Sequence, residues 1–215
     1  MRKLNLLLPF AAIAIPGCGI IGGVQGSGVA KSETRNVPSF SQVELRGASD
    51  VEVRPGKSIS VKVTADDNLI PLIETRVEGG TLIIDTKQNV STKIGIQVAI
   101  EVPSLTGVAL QGSGDIRASG VEARDFAASI SGSGNIEVSG KGSAVRASVA
   151  GSGDIDLSNL SCSEADASIS GSGNISLGVI STLRASIGGS GDISYSGDPK
   201  VEKSVSGSGE IRKRD

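Results

Sequence analysis

Six acidic or amide side chains recur in the second half of the sequence, each directly after the tripeptide Gly-Ser-Gly and directly before an isoleucine. Successive members lie 18 to 20 residues apart: Asp115, Asn135, Asp154, Asn174, Asp192 and Glu210. A row of oxygen side chains could bind Ca²⁺. Asp and Asn alternate through the first five repeats, however, so each Asn amide could donate to the Asp above and below it and separate their like charges. We therefore predict a structural corner ladder here, with weak Ca²⁺ sites as the alternative.

A column of serines lies three positions before the first glycine of five repeats. Its members are Ser129, Ser148, Ser168, Ser186 and Ser204. Strand periodicity predicts that these side chains point outward and form a flat face, with Arg146, Asp166, Arg184 and Glu202 along its margin. Small residues allow close approach, so this column is a candidate interaction face for another subunit or a ligand. A solvated sheet face without a partner is the alternative.

The composition argues against several other chemistries. The 215 residues include no His, which excludes His-based triads, His general bases and His metal ligands. Aromatic residues make up 2%, too few for a base-stacking surface or a sugar platform. The formal charge is −2, with no basic run after the first three residues, so we expect no nucleic-acid partner. Cys162 has no His to activate it and is interpreted as a half-buried filler. We expect no catalytic residues, metal or cofactor.

The N-terminus has the pattern of a targeting segment. Two basic residues precede an apolar run over residues 4–15, too short to span a bilayer and typical of a signal peptide. The run ends in Ile15-Pro16-Gly17-Cys18, which resembles a bacterial lipobox. We predict a lipoprotein signal peptide over residues 1–17, lipidation of Cys18 and a flexible tether over residues 18–33. An ordinary secreted protein is the alternative. Gly19, rather than Asp, favours the outer membrane.

The elements that position these columns follow from the repeat. Alternating apolar and polar residues predict strands on both sides of each Gly-Ser-Gly corner. A fixed period of about 18–20 residues without a helical pattern predicts a single-stranded parallel β-helix, in which each coil stacks on the previous one. Lys203 and Lys213 replace apolar residues in the last coil, which would discourage edge-to-edge growth.

The first half of the chain is also rich in strands, and no linker separates the two halves. We predict one domain over residues 34–215, with the six repeats at 112–211. Residues 47–51 resemble a decayed corner. The remaining expectations are strands at 43–45, 51–53, 59–63 and 94–102, a helical turn within 66–73, a hairpin at 78–80 and a polar loop at 89–93.

Several segments together resemble the auto-transporter adhesin head GIN domain family of bacterial envelope proteins. They are Val29 to Phe40 leading into Val43-Glu44-Leu45, the Asp66-Asp67-Asn68-Leu69 region, Gly80-Thr81-Leu82-Ile83-Ile84 and the Gly-Ser-Gly-Asp/Asn-Ile repeats. Glu210 departs from the repeat pattern. The resemblance implies a right-handed β-helix, commonly on secreted or lipid-anchored proteins, and brings no catalytic residues with it.

These observations favour a non-enzymatic envelope lipoprotein that serves as a binding, adhesion or structural module outside the cytoplasm. It would be held to the membrane by its N-terminal lipid, with a surface glycan, a protein or another copy of itself as the partner. Two alternatives stay open. One is a carbohydrate-active β-helix enzyme such as a lyase or hydrolase, which needs clustered carboxylates and Lys or Arg in a groove. The other is an envelope signalling accessory.

Overall fold

The computed structural model describes residues 23–179 and 181–214. Over these residues the chain forms nineteen strands and one short 3-10 turn, Ile70–Leu72. The strands of the first half are β1 Val24–Gln25, β2 Ala30–Arg35, β3 Gln42–Gly47, β4 Asp50–Pro55, β5 Ser60–Asp66, β6 Ile73–Glu78, β7 Thr81–Thr86, β8 Val90–Ser91 and β9 Gln97–Val102. Those of the second half are β10 Gly107–Gly112, β11 Asp115–Gly132, β12 Asn135–Gly151, β13 Ile155–Ser161, β14 Glu164–Gly171, β15 Ile175–Val179, β16 Thr182–Gly189, β17 Ile193–Ser196, β18 Lys200–Gly207 and β19 Ile211–Lys213.

The second half winds as a parallel β-helix, which confirms the predicted fold class. Two walls meet at the Gly-Ser-Gly corners. The first wall contains β3, β10, the C-terminal halves of β11 and β12, β14, β16 and β18. The second wall contains β4, the N-terminal halves of β11 and β12, β13, β15, β17 and β19. The register is constant along the first wall, so that the first glycine of each corner lies opposite the first glycine of the next.

The interior is filled by columns of like residues. One column on the first wall is Leu45, Leu110, Ile130, Val149, Ile169 and Ile187, each 0–3% exposed. The isoleucine after each corner forms a second column, from Ile116 to Ile193, which is 0–1% exposed. Burying such a side chain fully contributes about 1.5–3 kcal/mol. Because each coil covers its neighbour, the repeated sequence supplies one continuous core.

Close stacking explains why the corners use glycine. The first glycine of the second corner, Gly132, has φ +155°, and a Cβ on it would collide with the carbonyl oxygen of Gly112 in the coil before. The third residue, Gly134, would collide in the same way with the carbonyl of Gly114. The close approach lets Ser133 donate its backbone N–H to Gly112 at 2.8 Å. Stacking geometry therefore accounts for the Gly-Ser-Gly motif without a ligand.

Further strands cover the N-terminal end of the β-helix. β9 pairs parallel with β4, and β7 pairs parallel with β3. Antiparallel pairing begins beyond them, where β9 pairs with β5, β5 with β2, and β7 with β6. The hairpin predicted at 78–80 and the helical turn predicted within 66–73 are both confirmed. The decayed corner is confirmed as well, because Gly47 lies opposite Gly112 and Asp50 opposite Asp115.

Three expectations for the first half need correction. The predicted tether over residues 18–33 includes β1 and part of β2, so the part of it in the described chain is folded onto the domain. The predicted polar loop at 89–93 contains β8, the partner of β1. The strand predicted at 94–102 begins only at Gln97. Residues 1–22, including the predicted signal peptide and Cys18, lie outside the described residues.

A buried carboxylate explains why the tether prediction failed. Asp66 is 0% exposed and accepts hydrogen bonds from the N–H of Gly28 at 2.6 Å, the N–H of Lys93 at 3.1 Å and the hydroxyl of Thr92 at 2.6 Å. The hydroxyl of Thr92 contributes most, followed by the backbone N–H groups, to holding the pKa of Asp66 at about 2, below the ordinary 3.8. Asp66 thus ties the residues after β1 and those after β8 to the end of β5.

Within the described residues, no helix is long and apolar enough to cross a membrane.

Candidate binding face

The serine column predicted as an interaction face runs across the outer side of the first wall. Ser129, Ser148, Ser168, Ser186 and Ser204 lie in register on successive coils. Ser148, Ser186 and Ser204 are exposed, whereas Ser129 and Ser168 are half-buried. The column begins with Glu44 and Ala109 on the two coils before it. The structure therefore brings the five serines together on one surface.

A charged column lies two residues before the serine column in every strand. It consists of Arg146, Asp166, Arg184 and Glu202, so the sign of the charge alternates from coil to coil. Ala127 occupies the same position in the coil before Arg146. Arg184 and Glu202 form an exposed ion pair, with 3.4 Å between Nε and Oε2. Arg146 and Asp166 are register neighbours, yet the described part of the chain contains no ion pair between them. Exposed pairs contribute little stability, so these groups stay available for a ligand.

An open groove of about 530 Å³ lies along this charged column. Arg146, Asp166 and Arg184 line one side of it. The residues that lead from the second wall into the first wall add further charged groups to the lining: Glu122, Arg124 and Asp125 in the middle of β11, and Glu164 at the start of β14. Asp125 and Glu164 belong to one more in-register column, with Ala144 between them. Three guanidinium groups and four carboxylates therefore line one groove on the outer surface.

The contribution of the residues that connect the two walls was missed in the sequence. The two strands beside each corner show clear alternation, but the connecting segment does not align as cleanly from repeat to repeat. Its register shifts between Ala118 and Val121 in the pairing of β11 with β12. A regular alignment therefore gave no signal that Glu122, Arg124 and Asp125 face the same groove as Arg146.

The groove offers hydrogen bonds of both kinds. Guanidinium groups are donors only and carboxylates are acceptors only, so successive coils alternate donor and acceptor along the β-helix axis. Coils stack about 4.8 Å apart, which repeats this pattern at a regular interval. Such a surface suits an extended polar molecule that carries both donors and acceptors.

The corner ladder forms as a chain of hydrogen bonds that runs in one direction. Asn135 donates its amide to Asp115 at 3.0 Å, and Asn174 donates to Asp154 at 2.9 Å. The Asn residues do not donate to the Asp that follows; instead Asn174 accepts the backbone N–H of Asp192 at 3.0 Å. Asp192 likewise accepts the N–H of Glu210 at 2.9 Å. Within the described chain the ladder is interrupted between Asn135 and Asp154.

The ladder oxygens accept hydrogen bonds from backbone and side-chain N–H groups of the next coil. Asp115 Oδ1 accepts both the side-chain amide and the backbone N–H of Asn135. No cluster of three or more acidic, Cys or His residues in residues 23–179 and 181–214 could hold a metal ion. The ladder thus has an evident structural role, which is to satisfy backbone donors at the corner.

Cys162 is half-buried and packs against the apolar core. Burial raises the pKa of its thiol to about 11, above the ordinary 9.0, so that the thiolate is scarce at neutral pH.

Comparison with protein families finds one match. Residues 39–199 match the family described as "Putative auto-transporter adhesin, head GIN domain". No curated protein matches the sequence.

Several solved structures share the fold. A putative adhesin from Bacteroides fragilis has a TM-score of 0.75 and 20% identity, over 89% of this chain and 100% of that one. A putative lipid binding protein from Parabacteroides distasonis has a TM-score of 0.62 and 24% identity, over 90% and 100%. A putative adhesin from Parabacteroides merdae has a TM-score of 0.63 and 23% identity, over 90% and 99%. At these sequence identities the similarity shows a shared fold and nothing further.

Proposed function

Because the chain belongs to the auto-transporter adhesin head GIN domain family, we propose that it is a non-enzymatic adhesion-type module of the bacterial envelope that binds ligands through the outer face of its first wall. The groove beside the charged column is the observation that carries this proposal. It has about 530 Å³, within the range of ligand sites, and it aligns donors and acceptors from several coils. We define the binding face as the serine column, the charged column and the groove.

The ligand we propose is a surface glycan or an extended polar segment of a protein. A long, shallow and charged groove can bind several units of a linear molecule, each meeting a different coil. Arg146 and Arg184 would donate to the ligand, and Asp166 between them would accept. The small serines beside this column leave room for a wide ligand to lie flat.

Membrane attachment through Cys18 is the second part of the proposal. β1 begins at Val24, six residues after Cys18. Six residues extend over at most about 20 Å, so a lipid on Cys18 would hold the N-terminal end of the β-helix close to the membrane. The last coil would then be the part farthest along the chain from the anchor. Gly19, which follows Cys18 where an Asp would favour the inner membrane, supports an outer-membrane location.

The environment of the groove carboxylates favours binding over catalysis. A glycosidase needs one carboxyl group that a water-excluding site keeps protonated as the general acid. Asp125, Glu164 and Asp166 are all exposed on the open groove. They are well placed to accept hydrogen bonds from a ligand, whereas none of them lies in an apolar site.

A binding and cleavage screen tests the function. The chain without residues 1–22 is applied to a glycan array and, in parallel, incubated with the same polysaccharides to detect new reducing or unsaturated ends. We expect retention without cleavage, and we expect Arg146→Ala with Arg184→Ala to lose it. Arg117→Ala is the matched control, because Arg117 is an exposed arginine on the second wall. Cleavage, absence of retention on the array, retention that survives the double variant, or equal loss in the Arg117→Ala control would each overturn the proposal.

A second pair of variants separates a ligand from another copy of the chain. Ser148→Glu with Ser168→Glu adds bulk and charge to the serine column and leaves the core unchanged. If the serine column contacts a ligand or a second subunit, retention on the array or the oligomer mass in light scattering falls. Unchanged retention and unchanged mass would remove the serine column from the binding face.

A further inference from the structure

The two ends of the β-helix differ in how they are closed. At the N-terminal end, β7 covers β3 and β9 covers β4. At the other end β18 pairs with β16 and β19 with β17, and within the described residues neither strand has a second neighbour. The eight residues Lys200–Gly207 therefore form an open strand edge at the end of the first wall.

The apolar core reaches this open edge. Val205 continues the column of Ile169 and Ile187, yet it is 44% exposed whereas Ile187 is 3% exposed. Val201 continues the column of Leu183 and is half-buried. A further strand beside β18 would cover both valines as every earlier coil covers the coil before it.

The backbone of β18 is oriented to accept such a strand. Lys200 donates its N–H to Ser181 in the coil before, and in a parallel pair alternate residues direct both backbone groups to the same side. Val201, Lys203 and Val205 therefore direct their N–H and C=O groups away from β16. These are the residues whose side chains belong to the inner columns.

The charge of Lys203 limits what can pair with this edge. Lys203 occupies the inner column that holds Ala167 and Ala185 in earlier coils. If a second copy paired antiparallel so that Val201 faced Val205, Lys203 would face the other copy's Lys203. Like charges directly opposite one another are destabilising, so the edge disfavours a second copy of this chain. An acidic residue at that position would instead be attracted.

We propose that the open edge of β18 binds an extended segment of a partner protein by β-strand addition. The segment has an apolar residue, an acidic residue and an apolar residue at alternate positions, facing Val201, Lys203 and Val205. This pattern is symmetric, so it fits a parallel or an antiparallel strand. Backbone hydrogen bonds supply affinity and the three side chains supply selectivity, as in other cases of strand addition.

A charge-swap experiment tests this site on the protein itself. The probe is a synthetic peptide containing Val-Thr-Glu-Thr-Val, and the comparison peptide contains Val-Thr-Lys-Thr-Val. We expect the Glu peptide to bind about tenfold more tightly by calorimetry, since an attractive pair replaces a repulsive one. The amides of Val201, Lys203 and Val205 should become protected from hydrogen exchange.

Variants of the protein test the same charge preference from the other side of the interface. Lys203→Glu should reverse the preference, so that the Lys peptide binds more tightly. Because Lys203 is exposed, we expect the substitution to leave the fold intact. Lys141→Glu, at another exposed lysine, is the control and should leave the preference unchanged. The proposal is overturned if the Glu peptide does not bind or if Lys203→Glu fails to reverse the preference. Protection of amides outside β18, or self-association of the chain through this edge, would also overturn it.

Discussion

The side chain of Asn174 donates to Asp154 Oδ1 at 2.9 Å, and the backbone N–H of Asn174 donates to the same oxygen at 2.8 Å. One carboxylate oxygen in one coil thus fixes both the backbone and the side chain of the coil that follows. Asn174 in turn accepts the N–H of Asp192, so its amide separates two carboxylates. The alternation of Asp and Asn therefore serves the stacking of coils.

Replacing this amide by a carboxylate should destabilise the β-helix. Asn174→Asp removes a donor and places four carboxylates in consecutive coils, at Asp154, position 174, Asp192 and Glu210. We expect a loss of about 1–2 kcal/mol in the free energy of unfolding at pH 7 and low salt, measured with urea.

Two observations check the electrostatic origin of that loss. It should shrink in high salt, because screening weakens the repulsion between the carboxylates. Asn159→Asp, an exposed position on β13, is the control and should change stability little. Calorimetry with Ca²⁺ should show no binding below about 1 mM, the range of extracellular Ca²⁺ modules. Tighter binding would assign the ladder to Ca²⁺ instead.

A methyl group at a corner glycine should be far more damaging than one elsewhere on the wall. Gly134→Ala places a Cβ against the backbone carbonyl of Gly114, which cannot move without separating two coils. We expect a loss of at least about 3 kcal/mol or failure to fold. Gly142→Ala is the control, since its nearest neighbour would be the Val145 side chain at 3.4 Å, and it should cost less than about 1 kcal/mol. Equal thermal midpoints for the two variants would contradict this account of the motif.

The repeat explains how much of the fold was predictable. Once Gly-Ser-Gly is aligned, strand positions, inner columns and outer columns follow from period two. The pairing of Ile130 with Val149, and of Val149 with Ile169, is as expected. The same reasoning located the serine column and the margin formed by Arg146 and Asp166. Repetition supplies this information because the side chains of every coil pack in the same way.

Where the repeat is absent, the sequence said less. Asp66 looks like a surface acid by type, and its burial depends on Gly28 and Lys93, which lie 38 and 27 residues away in the chain. Such a long-range set of hydrogen bonds has no local signal, so residues 24–33 resembled a tether. Gly26 gives a hint only in retrospect, because a Cβ on it would collide with the Asp66 carboxylate.

Acid should release the N-terminal strand before it unfolds the β-helix. The folded pKa of Asp66 is about 2 and its ordinary value is 3.8, so the unfolded segment binds the proton more readily. The stabilisation by Asp66 is therefore complete above about pH 4 and is lost as the pH falls toward about 2. Hydrogen exchange of residues 24–29 should accelerate over this range relative to β12.

Asp66→Asn gives the matched test of that titration. Asn cannot titrate and is a poorer acceptor, so residues 24–29 should already exchange faster at pH 7. Their protection should then lack the extra decrease between about pH 4 and about pH 2. If the variant kept the same pH dependence as the original chain, a group other than Asp66 would be responsible.

Lipid attachment at Cys18 should determine where the protein is found. We expect the full-length chain, produced in a bacterium with two membranes, to incorporate labelled palmitate and to fractionate with the outer membrane. Mass spectrometry should place the new N-terminus at Cys18.

Cys18→Ser should lose the label and leave the membrane fraction. Cys162→Ser is the control, because it removes the half-buried thiol between β13 and β14, and it should keep both the label and the membrane location. Acyl chains contribute about 0.8 kcal/mol per buried CH₂ group, so losing them removes most of the membrane affinity. Cleavage at another residue, or a Cys18→Ser variant that stays labelled, would show that the lipobox is not used.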